Sequence, residues 1–471
     1  LEKFGLYSIR FIFGIILARL LSPKDYGLVG MIAVFFVIAR VFIDSGFGNA
    51  YIQKKNVTNI DADTIFYTNL VVSIFFYLIL WISAPYIATF YDQYILIKLT
   101  RVMGIILIIQ AFNIIQMAQI RRYLDFKRKT KYSIFSNIIS GIAGIIAAYY
   151  GLGVWALIIK QLSNRLILTI LIWISSEWRP KLQFSLSSFK TMFSFGVWIL
   201  INRITKKTFE NIYSLVIGKY FPAAQLGFYT KAKNFHKIST RQISTSIGAV
   251  TFPILSKWQD DEDKIQQGIN KFLRSTYFII IPIIATLFVV SKPFITILLT
   301  DKWSPVIPYL RLLCIWAFLY PINSINSQVL LALGKSKINF KLSFVGHTLR
   351  IILLFITFRF GVFYIIIGEI INSFIMTIIL TTYNNKFINF NIWDQISSFI
   401  ISIIIGLLST LIGTITLTFI NDLYLKLIFG LIITFSVYSI LQLLLNNKLI
   451  REFIEFIKII FYKRFNQNIN Q

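Results

Sequence analysis

Residues 64–88 read TIFYTNLVVSIFFYLILWISAPYIA, a stretch without a single Asp, Glu, Lys or Arg. A helix rises about 1.5 Å per residue, so about 20 such residues cross roughly 30 Å of hydrocarbon. Similar apolar runs recur on both sides. They lie near 3–22, 27–47, 96–119, 132–150 and 152–174, then near 191–217, 225–253, 272–298, 305–331, 340–359 and 361–382, with two more near 396–420 and 423–445. This spacing predicts an all-α polytopic membrane protein with about fourteen transmembrane helices. Composition agrees, because 56% of the 471 residues are apolar and only 14% are charged. The first run starts abruptly without a Met, so a few preceding residues are expected. No charged segment and cleavage site precede it, and it reads as a span rather than a signal peptide.

The chain carries 47 Lys and Arg against 19 Asp and Glu, a net charge of +28. Such an excess in a soluble protein would point to nucleic acid; in so apolar a chain it needs another cause. Part of it is topology. Of the 47 cations, 24 fall in the even-numbered loops and the C-terminal tail, and six fall in the odd-numbered loops. Lys and Arg collect on the cytoplasmic side of membrane proteins, so both termini are expected to be cytoplasmic. The tail places Leu449, Ile450, Phe453, Ile457 and Ile460 at helical spacing. It reads as an interfacial helix along the inner surface, or else as a loosely ordered tail. One Cys (Cys314) and two His (His236, His347) exclude a disulfide framework and a Cys/His metal cluster. No G-x-x-x-x-G-K-[ST] motif or catalytic constellation is present, and the reading is a non-enzyme.

An internal repeat is visible at offsets of 200 to 210 residues. Arg19 with Gly27 matches Lys219 with Gly227, Pro85-Tyr86-Ile87 matches Pro293-Phe294-Ile295, and Asp92 matches Asp301. Arg101 matches Arg311, and Gly153-Val154 matches Gly361-Val362. Six spans per copy is an even number, so the copies share one orientation, as in parallel-repeat transporters. The expected organisation is a six-helix lobe over 1–175, a second over 189–383, helices 13–14 over 390–446 and a cytoplasmic tail over 447–471.

Seventeen cations remain inside or beside the spans, against three acids: Asp44, Glu210 and Glu369. A cation on a lipid-facing helix centre costs at least about 2.5–3.5 kcal/mol. Arg10, Arg19, Lys98 and Lys160 can be read as snorkelling to an interface. Spans 7 and 8 resist that reading. Arg203, Lys206, Lys207 and Glu210 share one helix face, and Lys233, Lys237 and Arg241 repeat every fourth residue. These faces either line water or belong to surface helices that do not cross, and the repeat favours the first. A hydrated cationic cavity selects an anion such as phosphate or pyrophosphate, bound by these six cations. Arg19, Arg40, Arg311 and Arg350 are secondary cavity candidates. Asp44 lies four residues after Arg40, a spacing that suits a local ion pair. Glu369 lies in an otherwise apolar span, as a site for a coupling H⁺ or Na⁺ or as the structural partner of Arg350. Asp44 and Glu210 are lesser ion-coupling candidates, and no other cofactor is expected.

Several stretches resemble a known family. Residues 15–27, with Ala18-Arg19-Leu20-Leu21-Ser22-Pro23 and Gly27, are similar to the opening of Wzx-type oligosaccharide-lipid flippases. The match continues through Phe42-Ile43-Asp44-Ser45-Gly46-Phe47, Gln53-Lys54-Lys55, Ile217-Gly218-Lys219-Tyr220-Phe221, Leu226-Gly227-Phe228-Tyr229 and Phe252-Pro253-Ile254-Leu255-Ser256. They resemble the colanic-acid/lipopolysaccharide exporter group of the multidrug/oligosaccharidyl-lipid/polysaccharide exporter superfamily. The resemblance implies two MATE-like lobes around a cationic cavity and a bacterial inner-membrane location. It implies an undecaprenyl-pyrophosphate-linked oligosaccharide as cargo, moved among membrane lipids beside other polysaccharide-assembly proteins, without nucleic acid. A drug or metabolite exporter of the same fold and a polysaccharide polymerase or ligase are the competing readings. The first would want acids in its cavity, and the second a large external loop.

Overall fold

The computed structural model describes residues 2–44, 46–236 and 251–445. Among these residues the structure is helical throughout. The first elements are α1 (Glu2–Leu20), α2 (Pro23–Asp44), α3 (Phe47–Gln53), α4 (Asn59–Tyr91), α5 (Ile95–Ala111), α6 (Ile114–Arg122), α7 (Phe126–Tyr149), α8 (Val154–Ser175), α9 (Leu186–Tyr220) and α10 (Ala223–His236). Then follow α11 (Glu262–Val289), α12 (Ser291–Leu299), α13 (Val306–Ala332), α14 (Ser336–Thr357), α15 (Val362–Ile388), α16 (Ile392–Ser397), α17 (Ile400–Thr418) and α18 (Leu423–Leu445).

Local chemistry sets several of these ends. Thr58 starts α4 with a capping box: its hydroxyl accepts from Asp61 N, and the Asp61 carboxylate accepts from Thr58 N. Lys54 Nζ adds a 2.7 Å ion pair to the same carboxylate. The Asp125 carboxylate caps α7 by accepting from Arg128 N, and Asn391 with Asp394 forms a second capping box on α16.

Among the described residues, ten helices are long and apolar enough to cross a membrane, or eleven with the α5–α6 pair, bent by 45°. The described residues thus account for eleven of the fourteen expected spans. The three missing are α1, α9 and α10. The first two carry too much charge for their length, and α10 reaches the limit of the described residues at His236. They include the elements on which the cations are concentrated.

The chain divides into two compact units, 1–230 and 231–471. In the first, α9 packs along α2, α3 and α4, and α7 packs between α1 and α8. Leu17, Leu21, Ala147, Ala148, Ala156 and Leu157 form a buried cluster there. In the second, α11 packs against α13, α17 and α18 around a larger core, where the rings of Tyr277 and Phe399 stack at 3.9 Å. The lobes read from the repeat and the compact units divide the chain differently, because the long α9 is packed against first-copy helices.

The repeat itself is written into the backbone. Asp92 and Thr300, Leu124 and Gly334, and Gly153 and Gly361 all have positive φ, at offsets of 208, 210 and 208 residues. Asn113 Nδ2 donates to Thr169 Oγ1 at 2.8 Å, and Thr377 Oγ1 donates to Asn323 Oδ1 at 3.0 Å. Those two bonds join matching residues of the two copies. Two cation–π contacts also join the matching arginines to rings one position out of register, Arg101 over Trp81 at 4.7 Å and Arg311 over Phe288 at 5.4 Å.

Within the first unit, the start of α2 meets the start of α10 in a reciprocal contact. A Cβ on Gly27 would overlap the Ala223 carbonyl, and a Cβ on Gly227 would overlap the Pro23 carbonyl. Pro23 and Ala223, like Gly27 and Gly227, are 200 residues apart. The two copies thus meet here through a local dyad at backbone distance, which only glycine permits.

Candidate anion-binding cavity

The α7 sequence places Ser133, Ser136, Ser140, Gly141 and Gly144 toward its neighbours. These small residues let α1 and α8 approach closely: a Cβ on Gly144 would stand 3.0 Å from Lys160 Cβ. The approach brings Arg10 of α1 together with Lys160 and Arg165 of α8, while α2 adds Arg40. All four line one cavity of about 340 Å³, with Asn137, Ser140, Gln161 and Asn164. No carboxylate lines it. A second cavity of about 380 Å³ shares Arg10, Asn137, Asn164 and Arg165 with the first and adds Asp44, Arg121 and Lys129.

The amides hold the frame. Arg10 Nε donates to Asn137 Oδ1 at 3.1 Å, Asn137 Nδ2 donates to Ser133 O at 2.6 Å, and Asn164 Nδ2 reaches Ser136 and Ser140 Oγ. The Arg40 Nε–H is buried without a hydrogen-bond partner. Arg40 and Arg165 repel one another, as do Arg10 and the Lys160–Arg165 pair. Among the described residues none of the four makes an ion pair. Arg10 is exposed and Arg40, Lys160 and Arg165 are half-buried; a bound anion offsets the mutual repulsion of such a group. Three guanidinium forks and one ammonium suit the equatorial oxygens of phosphate or pyrophosphate.

A sequence profile of the polysaccharide biosynthesis protein family matches residues 16–308, more than half of the chain. The chain belongs to this family. Among curated relatives of this polysaccharide biosynthesis protein, the teichuronic acid biosynthesis protein TuaB of Bacillus subtilis is 29% identical over 306 residues. That match covers 64% of this chain and 63% of TuaB, which is less than two thirds of the relative. The lipopolysaccharide biosynthesis protein WzxC of Escherichia coli is 24% identical over 328 residues, covering 69% of this chain and 67% of WzxC. Among solved structures, the lipid II flippase MurJ in an inward closed conformation superposes with a TM-score of 0.75. It covers 95% of this chain and 99% of that one at 17% identity, a likeness of fold. The chain is thus a multi-pass helical membrane protein of this family.

The structure places the expected cavity residues unevenly. Arg203 pairs with Asp44 at 2.9 Å, and Lys207 with Glu210 at 2.6 Å. Two of the three α9 cations expected at the cavity are therefore neutralised, while Lys206 is exposed. The local Arg40–Asp44 pair is not formed. Asp44 ends α2, where the chain turns at Gly46 (φ 76°) against Gly196 of α9, so its carboxylate meets α9 and leaves Arg40 bare. Lys233 is half-buried on α10 in the second unit, and Lys237 and Arg241 lie outside the described residues. The tail, 447–471, lies outside them as well.

The secondary candidates also separate. Arg19 is exposed at the end of α1. Arg311 lies over Phe288, and its Nε donates to Ser291 Oγ at 2.8 Å, which occupies it within its own unit. Glu369 is 4% exposed, buried in α15. Glu369 stands 208 residues after Gln161, seven residues into α15 as Gln161 is seven into α8. Where the first copy keeps a neutral amide among cations, the second has a carboxylate. His236 is buried with its ring 4.5 Å from that of Trp316, a packing position.

Sequence reasoning assigned Arg10 and Lys160 to snorkelling. The structure instead brings both to one cavity, where Arg10 Nε donates to Asn137 Oδ1.

The Arg203–Asp44 pair is half-exposed, and such pairs contribute about 0–1 kcal/mol. Asp44→Asn should leave the melting temperature nearly unchanged. It should also enlarge the thermal shift produced by inorganic pyrophosphate, because Arg203 is released toward the second cavity. A smaller shift than in the parent would refute this assignment.

Proposed function

We propose that the protein is a flippase that moves an undecaprenyl-pyrophosphate-linked oligosaccharide across the bacterial inner membrane for lipopolysaccharide, O-antigen or exopolysaccharide synthesis. The observation that carries this reading is the cavity holding Arg10, Arg40, Lys160 and Arg165 with no carboxylate. Family membership and the fold shared with MurJ support it. The cargo's pyrophosphate sits among these four cations; Arg203, Lys206, Lys207, Lys233, Lys237 and Arg241 are further candidate contacts by their sequence spacing alone. The polyprenyl chain stays in lipid, and alternating access of the two repeats carries the sugar outward. The Lys- and Arg-rich loops support a cytoplasmic position for both termini. Glu369, buried in α15, is the site for a coupling H⁺ or Na⁺. A cationic-drug exporter would need acids in the cavity, and the first cavity has none.

The deciding experiment is leaflet-specific accessibility of a labelled lipid-linked oligosaccharide in proteoliposomes, with and without an ion gradient. Transfer between leaflets that requires the protein is the expected result; equal transfer from empty liposomes, or transport of a cationic dye instead, overturns the proposal. Binding alone is measurable separately. Inorganic pyrophosphate at a hundred times its Kd should stabilise the parent protein by about 2.7 kcal/mol, and chloride at the same ionic strength should not.

A further inference from the structure

A different cavity, of about 640 Å³, lies where four helix ends of the first unit converge: the starts of α4 and α7, the ends of α6 and α8, and the linker 176–181. This size falls in the usual range for small-ligand sites. Its lining includes three acids (Asp63, Asp125, Glu177) and three bases (Arg128, Arg179, Lys181), so it is locally charged but balanced.

Several of its polar groups are buried and unsatisfied. Asp63 is 1% exposed; its Oδ1 accepts from Lys181 N at 3.1 Å, while its Oδ2 has no partner. Gln116 is 2% exposed, and neither its Oε1 nor its Nε2 has a partner. The Trp178 indole N–H also lacks one. Buried polar groups left this way cost about 1–3 kcal/mol each, so such a cluster is expected to have an occupant.

The repeat supplies an internal control. Asn326 of the second unit stands 210 residues after Gln116, the offset of the Asn113 and Asn323 pair. There the site is filled by the chain itself. Asn326 Nδ2 donates to Gln395 Oε1 at 2.8 Å, and Asn384 Nδ2 donates to Asn326 Oδ1 at 2.6 Å. Gln395, on α16, is wholly buried. In the first unit the linker after α8 bonds α4 through Lys181 N to Asp63 and Ser185 N to Thr64, and it leaves both Gln116 side-chain atoms without a partner.

We propose that this cavity binds a phosphoethanolamine group, the zwitterionic headgroup of an aminophospholipid. The free acceptors, Asp63 Oδ2 and Gln116 Oε1, call for N–H donors. A primary ammonium has three and a quaternary ammonium none. The Trp178 and Gln116 N–H groups with the Arg128 and Arg179 guanidiniums take the phosphate oxygens. The ligand's balanced charge matches that of the lining. The cavity's place at the ends of membrane-spanning helices sets it at headgroup depth.

Native mass spectrometry of the full chain tests this with dioleoyl phosphatidylethanolamine, phosphatidylcholine and phosphatidylglycerol at equal concentration. The ethanolamine lipid should bind at least about tenfold more tightly than the other two. Asp63→Asn, which retains an acceptor for Lys181 N, should remove that preference. Gln116→Leu should weaken it if the Asp63 variant fails to fold. Soluble glycerophosphoethanolamine distinguishes the sources: displacement at matched concentration assigns a free phosphoester, and its failure assigns the intact lipid. Equal binding of the choline or glycerol lipid, or retained preference in both variants, overturns the proposal.

Discussion

Replacing Arg40 and Arg165 together by Gln should abolish lipid-linked oligosaccharide transfer while raising thermal stability. The two effects have one cause. Arg40 and Arg165 repel each other in a cavity lined by no carboxylate, and the Arg40 Nε–H is buried without a partner. Removing both charges relieves the empty protein and deprives the anion of two guanidinium forks. A hydrogen bond to a charged group contributes about 1.5–3 kcal/mol, so losing two costs about 3–6 kcal/mol of anion affinity, or two to four orders of magnitude. Substitution by Lys retains charge without the fork and should give an intermediate result. The opposite signs separate this outcome from misfolding, which lowers activity and stability together. Proteoliposome transfer and a thermal melt on one preparation suffice. Full transfer in the double Gln variant would remove the cavity from the mechanism.

The second large effect is expected at the glycine crossing. Gly27→Val and Gly227→Val each force a side chain into the other helix's backbone carbonyl, at Ala223 and Pro23. Carbonyls in packed helices cannot yield as a flexible side chain does, so the cost should reach or exceed the roughly 1–3 kcal/mol typical of overpacking. The contact is reciprocal, so the two variants should destabilise to a similar extent. The double variant should cost less than the sum, since the first substitution already parts the helices that the second would push. Melting temperature and membrane yield report this. A Gly27→Val protein that melts like the parent would show that the crossing tolerates separation.

Much of the fold was legible in the sequence. Apolar run length indicated helices in the right places, because each span must satisfy its own backbone hydrogen bonds. The repeat was legible because copies keep the residues at their turns, and the paired positive-φ positions 153 and 361 mark the same helix starts. The charges were harder to read. Helical spacing tells which residues share a face, but the partner of that face depends on helix rotation and on its neighbours. Asp44 lies one turn from Arg40, yet the bend at Gly46 directs it to Arg203. The α9 ladder looked like the core of the cavity, and ion pairs neutralise two of its three cations. Arg10, Lys160 and Arg165 come from helices distant in sequence, and the small residues of α7 bring them together.

The contrast between Gln161 and Glu369 bears on how such a protein could arise. A duplicated half begins with the same residue at both positions, and a carboxylate at 161 would cancel a cation in the cavity it lines. Duplication removes that conflict. One descendant can lose its acid and specialise in holding an anion, while the other keeps or acquires one without harming its sibling. Two tasks that a single ancestral half could not perform at once become compatible through divergence at one pair of positions.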